Sequence, residues 1–284
     1  MRFKWLDLLL FAFLFIFVNS FPVDLFNIPY IYQVMIQICL RSLLVAYDFY
    51  LLWVYRVNIF KFANYKRMLL FLPLVIICFS NIIAVSIDKG FLALTNDVTL
   101  VIVISIYHLL GVIIEEFLFR FVIQNSFVKS SSIKRILFSA LIFAGFHLLN
   151  MVNATNVDGV VSILIQVAYT FGLGLVLGFI YEYTYSLPAC MCFHFLFNFF
   201  NTVFIQNIYL VYMSDSTKYL TALVITVVSA VYLLLVYLFV LNRNQKYFKE
   251  WYKRSIDISI FSKYNFCNGR RHYLSWWKIH QDEL

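Results

Sequence analysis

Eight stretches of the chain, at about 6–21, 30–54, 68–87, 98–124, 133–150, 160–181, 188–205 and 219–241, are apolar over lengths near the roughly 20 residues that a helix needs to cross a bilayer. In hydrocarbon the backbone must satisfy its own N–H and C=O groups, so a lone apolar segment of this length is helical. The expectation is an all-α fold: a polytopic transmembrane helix bundle of about eight spans. Composition excludes a water-soluble alternative, since 63% of the 284 residues are hydrophobic and 13% charged, with mean hydropathy +0.85, against about 25% charged in soluble domains. The separators carry turn or charge signals, among them Phe21-Pro22, Asp88-Lys89-Gly90, Ser130-Ser131-Ser132, Asp158-Gly159 and Leu187-Pro188. They divide the chain into three helices over 1–97, four over 98–205, a last helix over 206–241 and a basic tail over 242–284.

The net charge of +8 follows topology rather than marking a nucleic-acid partner, which is not expected. With the N-terminus inside, Arg2, Lys4, Arg56, Lys61, Lys66, Arg67, Lys129, Lys134, Arg135 and nine Lys and Arg beyond residue 242 face the cytoplasm, and only Lys89 and Lys218 face outward. This positive-inside bias predicts both termini cytoplasmic. The first stretch lacks an A-x-A-like cleavage site before Pro22 and is read as a span. Gln281-Asp282-Glu283-Leu284 looks like an ER-retrieval signal, but a cytoplasmic tail cannot present it to the lumen, so it is read as coincidence. The tail over 243–254 interleaves Lys and Arg with Tyr247, Phe248, Trp251 and Tyr252, a pattern that suits an anionic lipid surface. The five cysteines show no framework spacing, so no structural disulfide is expected. Cys190 and Cys192, two apart on a helix, point in different directions and make a poor metal pair.

Ionisable side chains within a span cost at least about 2.5–3.5 kcal/mol each, so they are read as functional. The fourth span carries Glu115-Glu116-Phe117-Leu118-Phe119-Arg120. Glu116 and Arg120, at i and i+4, can pair, whereas Glu115 lies about 100° around the helix and is free to face a cavity. The fifth span ends in Phe143-Ala144-Gly145-Phe146-His147, and the seventh carries His194-Phe195-Leu196-Phe197-Asn198, with its His and Asn on one face. A carboxylate, two imidazoles and an amide suit hydrolysis of an amide bond, because Glu takes a proton from water while His and Asn donate to the oxyanion. Glu115, His147 and His194 equally form a His₂Glu set for Zn2+, and the residues alone leave the metal open. No H-E-x-x-H helix is present. Counting 1.5 Å per residue, Glu115 and His147 lie about 20 Å from the cytoplasmic face, but His194 and Asn198, counted from Pro188, come out shallower. Convergence requires the seventh helix to start earlier or to tilt.

Glu115-Glu116-x-x-x-Arg120, Phe143-x-x-x-His147 and His194-x-x-x-Asn198, in this order on successive helices, resemble the three motifs of the CPBP intramembrane protease family (CAAX protease and bacteriocin-processing), which includes the type II CAAX prenyl endopeptidases and the bacterial Abi proteins. The resemblance covers roughly 98–205 and implies a catalytic core there. By it, Glu115 and His147 activate water, His194 and Asn198 form the oxyanion hole, Glu116 and Arg120 support the site, and the enzyme is a metalloprotease. Phe121 stands where Gly often follows the motif Arg. The implied activity is an intramembrane endopeptidase acting on a membrane-associated or lipidated peptide or protein, in bacteriocin self-immunity or peptide maturation. The alternative is a non-catalytic immunity or sensor-binding protein on the same fold. A transporter would call for inverted repeats and broken helices, which the sequence lacks.

Composition rich in Phe, Ile, Tyr and Asn points to an AT-rich bacterial genome and a plasma membrane, where a prenylated CAAX protein is not the expected natural substrate. The expected partners are membrane lipid and the peptide substrate. His108, seven residues before Glu115, is read as packing. Arg41 and Asp48 are read as pairing through neighbours or water. Gly174-x-x-x-Gly178 is read as a close helix contact, and Asn150, Asn153 and Asn156 as residues around an outside loop.

Overall fold

The computed structural model describes residues 5–55, 59, 65–89, 98–126, 131–154, 156–208 and 215–238. These residues are helical, with no strand among them: α1 Trp5–Asn19, α2 Tyr30–Val54, α3 Ser80–Lys89, α4 Val98–Glu116, α5 Ser132–Phe146, α6 Val157–Thr184, α7 Leu187–Asn198 and α8 Asp215–Val236. The protein is a multi-pass membrane protein. Six helical stretches are long and apolar enough to cross a bilayer, namely Tyr30–Val54, Arg67–Ala84, Val98–Gln124, Ser132–Met151, Val157–Thr184 and Tyr219–Val236. The first and seventh expected spans are shorter apolar helices, Leu9–Asn19 and Leu187–Val203. Leu43, Trp53, Leu69, Leu72, Leu220 and Leu223 are exposed, as apolar side chains facing lipid should be.

The chain divides into two compact units, Phe3–Leu234 and a second made of Met1–Arg2 with Leu235–Leu284. The candidate site lies wholly in the first. The basic tail, Cys267 and most of the cations behind the expected orientation lie outside the described residues. The four cysteines within them are free, with Cys190 buried and Cys192 exposed, in keeping with divergent side chains.

Several spans change their winding part-way. Tyr65–Phe79 is a 3₁₀ helix containing Pro73, which lacks the N–H an α-helix would use, and it passes into α3 at Ser80. Phe117–Gln124 and Phe199–Ile208 are π-helical, and His147–Asn153 is 3₁₀. The backbone groups at the junction into α3 are satisfied by Asn201 from the second π stretch. Its Oδ1 accepts from Ser80 Oγ at 3.0 Å and from the Asn81 N–H at 2.8 Å, and its Nδ2 donates to the Ile77 carbonyl at 3.1 Å. Asn81 Nδ2 returns a bond to the Asn201 carbonyl at 2.8 Å. Two irregular helices are thereby locked together by groups that regular helices would have used internally.

The link between α6 and α7 decides where the third motif sits. Tyr185, at φ 54°, closes α6 in the left-handed region, and Ser186 caps α7 by accepting from the Ala189 N–H at 3.1 Å. Pro188 stands in the first turn of α7, where its missing N–H costs nothing. Thr184, Ser186, Leu187, Ala189 and Cys190 are all buried. The turn thus lies inside the packed bundle, and counting depth from Pro188 as a surface residue places α7 too shallow. α7 begins at Leu187, one residue before Pro188, so its start is buried rather than earlier in the chain.

Against α5, α6 presents Gly174 and Gly178. A Cβ at Gly174 would stand 3.1 Å from the Ala140 backbone and 3.2 Å from the Phe143 ring, and one at Gly178 would stand 3.0 Å from Ile136. The small-residue face is a close helix contact, as the spacing predicts, and it seats Phe143. Gly174→Val should lower stability by about 1–3 kcal/mol through overpacking. Gly145→Ala, whose new methyl meets nothing within 4 Å, should be neutral or stabilising by up to about 1 kcal/mol. Thermal unfolding of both variants in mild detergent checks the contrast.

Candidate active site

Glu115 and Glu116 are the last two residues of α4, and the π-helical stretch that carries Arg120 begins immediately after them. His147 opens the 3₁₀ segment after α5, and Asn198 ends α7 where the second π stretch starts. All three motifs therefore sit at a change of helical winding, a position where backbone geometry re-aims side chains and where π segments concentrate in functional proteins.

Glu116 and Arg120 are both fully buried and paired, with Arg120 Nε donating to Glu116 Oε2 at 3.2 Å. Arg120 Nη1 donates to Ser139 Oγ at 2.9 Å, and the Ser139 hydroxyl donates to the Phe119 carbonyl at 2.9 Å, tying the pair to α5. The Arg120 guanidinium also lies 5.1 Å from the Phe143 ring centroid. On its other side Glu116 meets α7, because its Oε1 accepts from His194 Nδ1 at 2.8 Å. A carboxylate oxygen accepts, so Nδ1 carries the proton and Nε2 is the His194 atom left for chemistry. That Nε2 stands 3.7 Å from Glu115 Oε2. Glu115 is partly exposed and lines a cavity of about 640 Å³.

His147 and Asn198 line the same cavity, both half-buried. His147 Nδ1 donates to the Phe143 carbonyl at 3.0 Å, which fixes its tautomer and leaves Nε2 as the unprotonated nitrogen. The Phe143 ring stands edge-on to both imidazoles, with centroids at 5.2 Å from His147 and 5.7 Å from His194. The structure thus brings Glu115, Glu116, Arg120 and His194 into direct contact and sets His147 and Asn198 on the wall of one shared cavity. Among the described residues no three His, Cys, Asp or Glu side chains form a cluster able to hold a metal ion. Glu115, His147 and His194 share the cavity without assembling into a three-ligand set.

Residues 97–200 match the family model described as Type II CAAX prenyl endopeptidase Rce1-like. This segment is similar to that family. Neither a curated protein nor a solved structure matches the chain. The Rce1-like segment contains the Glu-Glu-x-x-x-Arg motif, both histidines and Asn198, in agreement with the resemblance read from the residues.

Sequence reasoning missed several walls of the cavity. His108 lines it beside Tyr107, Gly111, Val112 and Glu115, so the face it shares with Glu115 looks into the cavity rather than only into packing. Its seven-residue spacing from Glu115 was the available signal. Asn150, assigned to an outside loop, lines the cavity and donates to Gln166 Oε1 at 3.1 Å. Asn156 caps α6 by accepting from the Gly159 N–H at 2.8 Å. Arg135, counted among the loop cations, is buried and ion-paired with Glu182. That carboxylate also accepts from Gln124 Nε2 at 3.2 Å.

Arg120→Met should cost about 3–5 kcal/mol, because it strips a buried carboxylate of its ion partner. Pairing it with Glu116→Gln should recover most of that loss. Unfolding in detergent would show this, and equal losses in the single and double variants would mean that the ion pair is not what holds the helices.

Proposed function

We propose that the protein is an intramembrane endopeptidase that hydrolyses a peptide bond in a membrane-associated or lipidated peptide or protein. The observation that carries this reading is the position of His194, fixed through Nδ1 by the buried Glu116 and facing Glu115 through Nε2 across 3.7 Å at the edge of the cavity. That separation is too long for a direct hydrogen bond and suits a water molecule held by both groups.

In the proposed reaction Glu115 takes a proton from this water, and the oxygen attacks the substrate carbonyl. His147, whose Nε2 is unprotonated, assists from the wall of the same cavity. As the tetrahedral oxyanion forms, the Asn198 amide donates to it, and His194 does so from Nε2 when the ring carries both protons. The protonated Glu115 then gives its proton to the leaving amine. Glu116 and Arg120 keep the His194 ring in orientation and touch no reacting atom. A zinc ion would act as a Lewis acid and lower the barrier to deprotonating water. Glu115, His147 and His194 are its candidate ligands, but they are not gathered around one point here, and no step above depends on a metal.

The physiological setting we propose is a bacterial plasma membrane, with the enzyme serving bacteriocin self-immunity or peptide maturation. The test uses protein in lipid vesicles and a mixture of lipidated and unlipidated apolar peptides, with products read by mass spectrometry. Glu115→Gln, His147→Ala and His194→Ala, each verified at wild-type abundance in the membrane, should lose about 100-fold or more of the cleavage rate. Undiminished cleavage in Glu115→Gln would end the water-activation reading. If wild-type protein protects cells and the variants protect equally, the protein acts by binding on a protease fold.

A further inference from the structure

Arg41 lies outside the Rce1-like segment and is the buried Arg that lines the cavity. It sits on α2, is 8% exposed, and reaches across to α4, where Nη1 donates to the Tyr107 carbonyl at 3.1 Å. Nη2 donates to the Tyr107 hydroxyl at 2.9 Å and to Asn19 Oδ1 at 3.2 Å, and the guanidinium carbon stands 3.8 Å from the Tyr107 ring centroid. The place for it is made by Gly111, since a Cβ there would lie 2.3 Å from Arg41 Nη1. Every one of these partners is neutral.

Asp48, read from its spacing as pairing with Arg41 through neighbours or water, makes no direct ion pair with it among the described residues. Its two oxygens are buried with no hydrogen-bond partner among the described residues, and Arg41 makes no ion pair among them. Seven helical positions separate the two residues by about 10 Å along α2, further than the side chains bridge here. Arg41 Nε is buried and also unpartnered. A guanidinium within a membrane-spanning helix, hydrogen-bonded to neutral groups and facing a cavity whose lining carboxylate, Glu115, it does not pair with, is a charge open to a partner from outside the protein.

We propose that Arg41, with Tyr107 and Asn19 orienting it, is the carboxylate-binding subsite of the cavity and anchors the peptide substrate by a free C-terminal carboxylate or an acidic side chain. The inference rests on the peptidase reading for its ligand. Gly111, against which Arg41 lies, is one helical turn from Glu115, about 6 Å along α4. At roughly 3.3–3.6 Å per extended residue this places the anchored carboxylate about two residues from the bond facing Glu115. Arg41 is thus a specificity-determining residue: it fixes the distance between anchor and cleaved bond.

Binding separates this proposal from the fate of the catalytic one. A fluorescent apolar pentapeptide of Ala, Leu and Phe is titrated into detergent-solubilised protein as the free acid, as the C-terminal amide, and as the amide with one internal Asp. Wild type and Glu115→Gln should both bind the acid or the Asp-bearing amide at least about 10-fold more tightly than the plain amide. Arg41→Gln should lose that difference, and Arg41→Lys should restore part of it, because Lys keeps the charge without the planar fork. Tight binding by the Asp-bearing amide identifies an acidic side chain as the anchored group, and weak binding identifies the C-terminus. Equal binding of all three peptides by wild type, or a preference that survives in Arg41→Gln, overturns the proposal. Discrimination without cleavage would instead refute the peptidase and leave the subsite standing.

Discussion

The arrangement hangs on one carboxylate. Glu116 has no exposed surface, and an ion so placed carries a desolvation penalty of several kcal/mol unless its oxygens are occupied. One oxygen takes Arg120 and the other takes His194, so a single side chain joins α4, the π stretch that follows it and α7. Through Arg120 and Ser139 the same set reaches α5. In a membrane, where apolar faces gain little by meeting one another rather than lipid, such polar contacts and close packing decide which helices become neighbours. The residue that holds the bundle together is therefore also the one that orients the imidazole beside Glu115.

The irregular helices serve the same end. A regular α-helix presents a new side chain every 100°, and three such rods offer few ways to aim a carboxylate, two imidazoles and an amide at one volume. Here winding changes directly after Glu116, at His147 and directly after Asn198. The displaced backbone groups find partners from other helices, as Asn201 does for the junction into α3. Phe143 fills the centre, held by the glycine face of α6 while its ring touches Arg120 and both histidines. Packing and chemistry share this ring, so the fit of α5 against α6 bears directly on how the imidazoles stand.

Hydrophobic run length made the helical class legible, and i,i+4 spacing made the Glu116–Arg120 pair legible, because both depend on local geometry alone. Contact between His194 and the two glutamates was not legible from depth counting, since Pro188 reads as a loop residue and only the fold shows its turn to be buried. Arg135, paired with Glu182, misled for a similar reason. Each lies within a few residues of a span end, where sequence cannot distinguish a solvated charge from a paired one. The Arg41–Asp48 spacing suggested pairing through neighbours or water, yet α4 offers Arg41 direct partners, and Asp48 has none among the described residues. Long-range choice among polar neighbours is set by how helices pack, and no periodicity encodes it.

The buried turn between α6 and α7 also bears on how this chain can be mapped. Protease nicking and thiol labelling report on connections that reach water, and exposed loop tips are where they succeed. Tyr185 and Ser186 connect two helices without such a tip, and Ser186 has no exposed surface. A cysteine introduced at Ser186 would be silent to labelling from either side of the membrane. Topology counted from accessible loops would then register α6 and α7 as one crossing and assign every later connection to the wrong side.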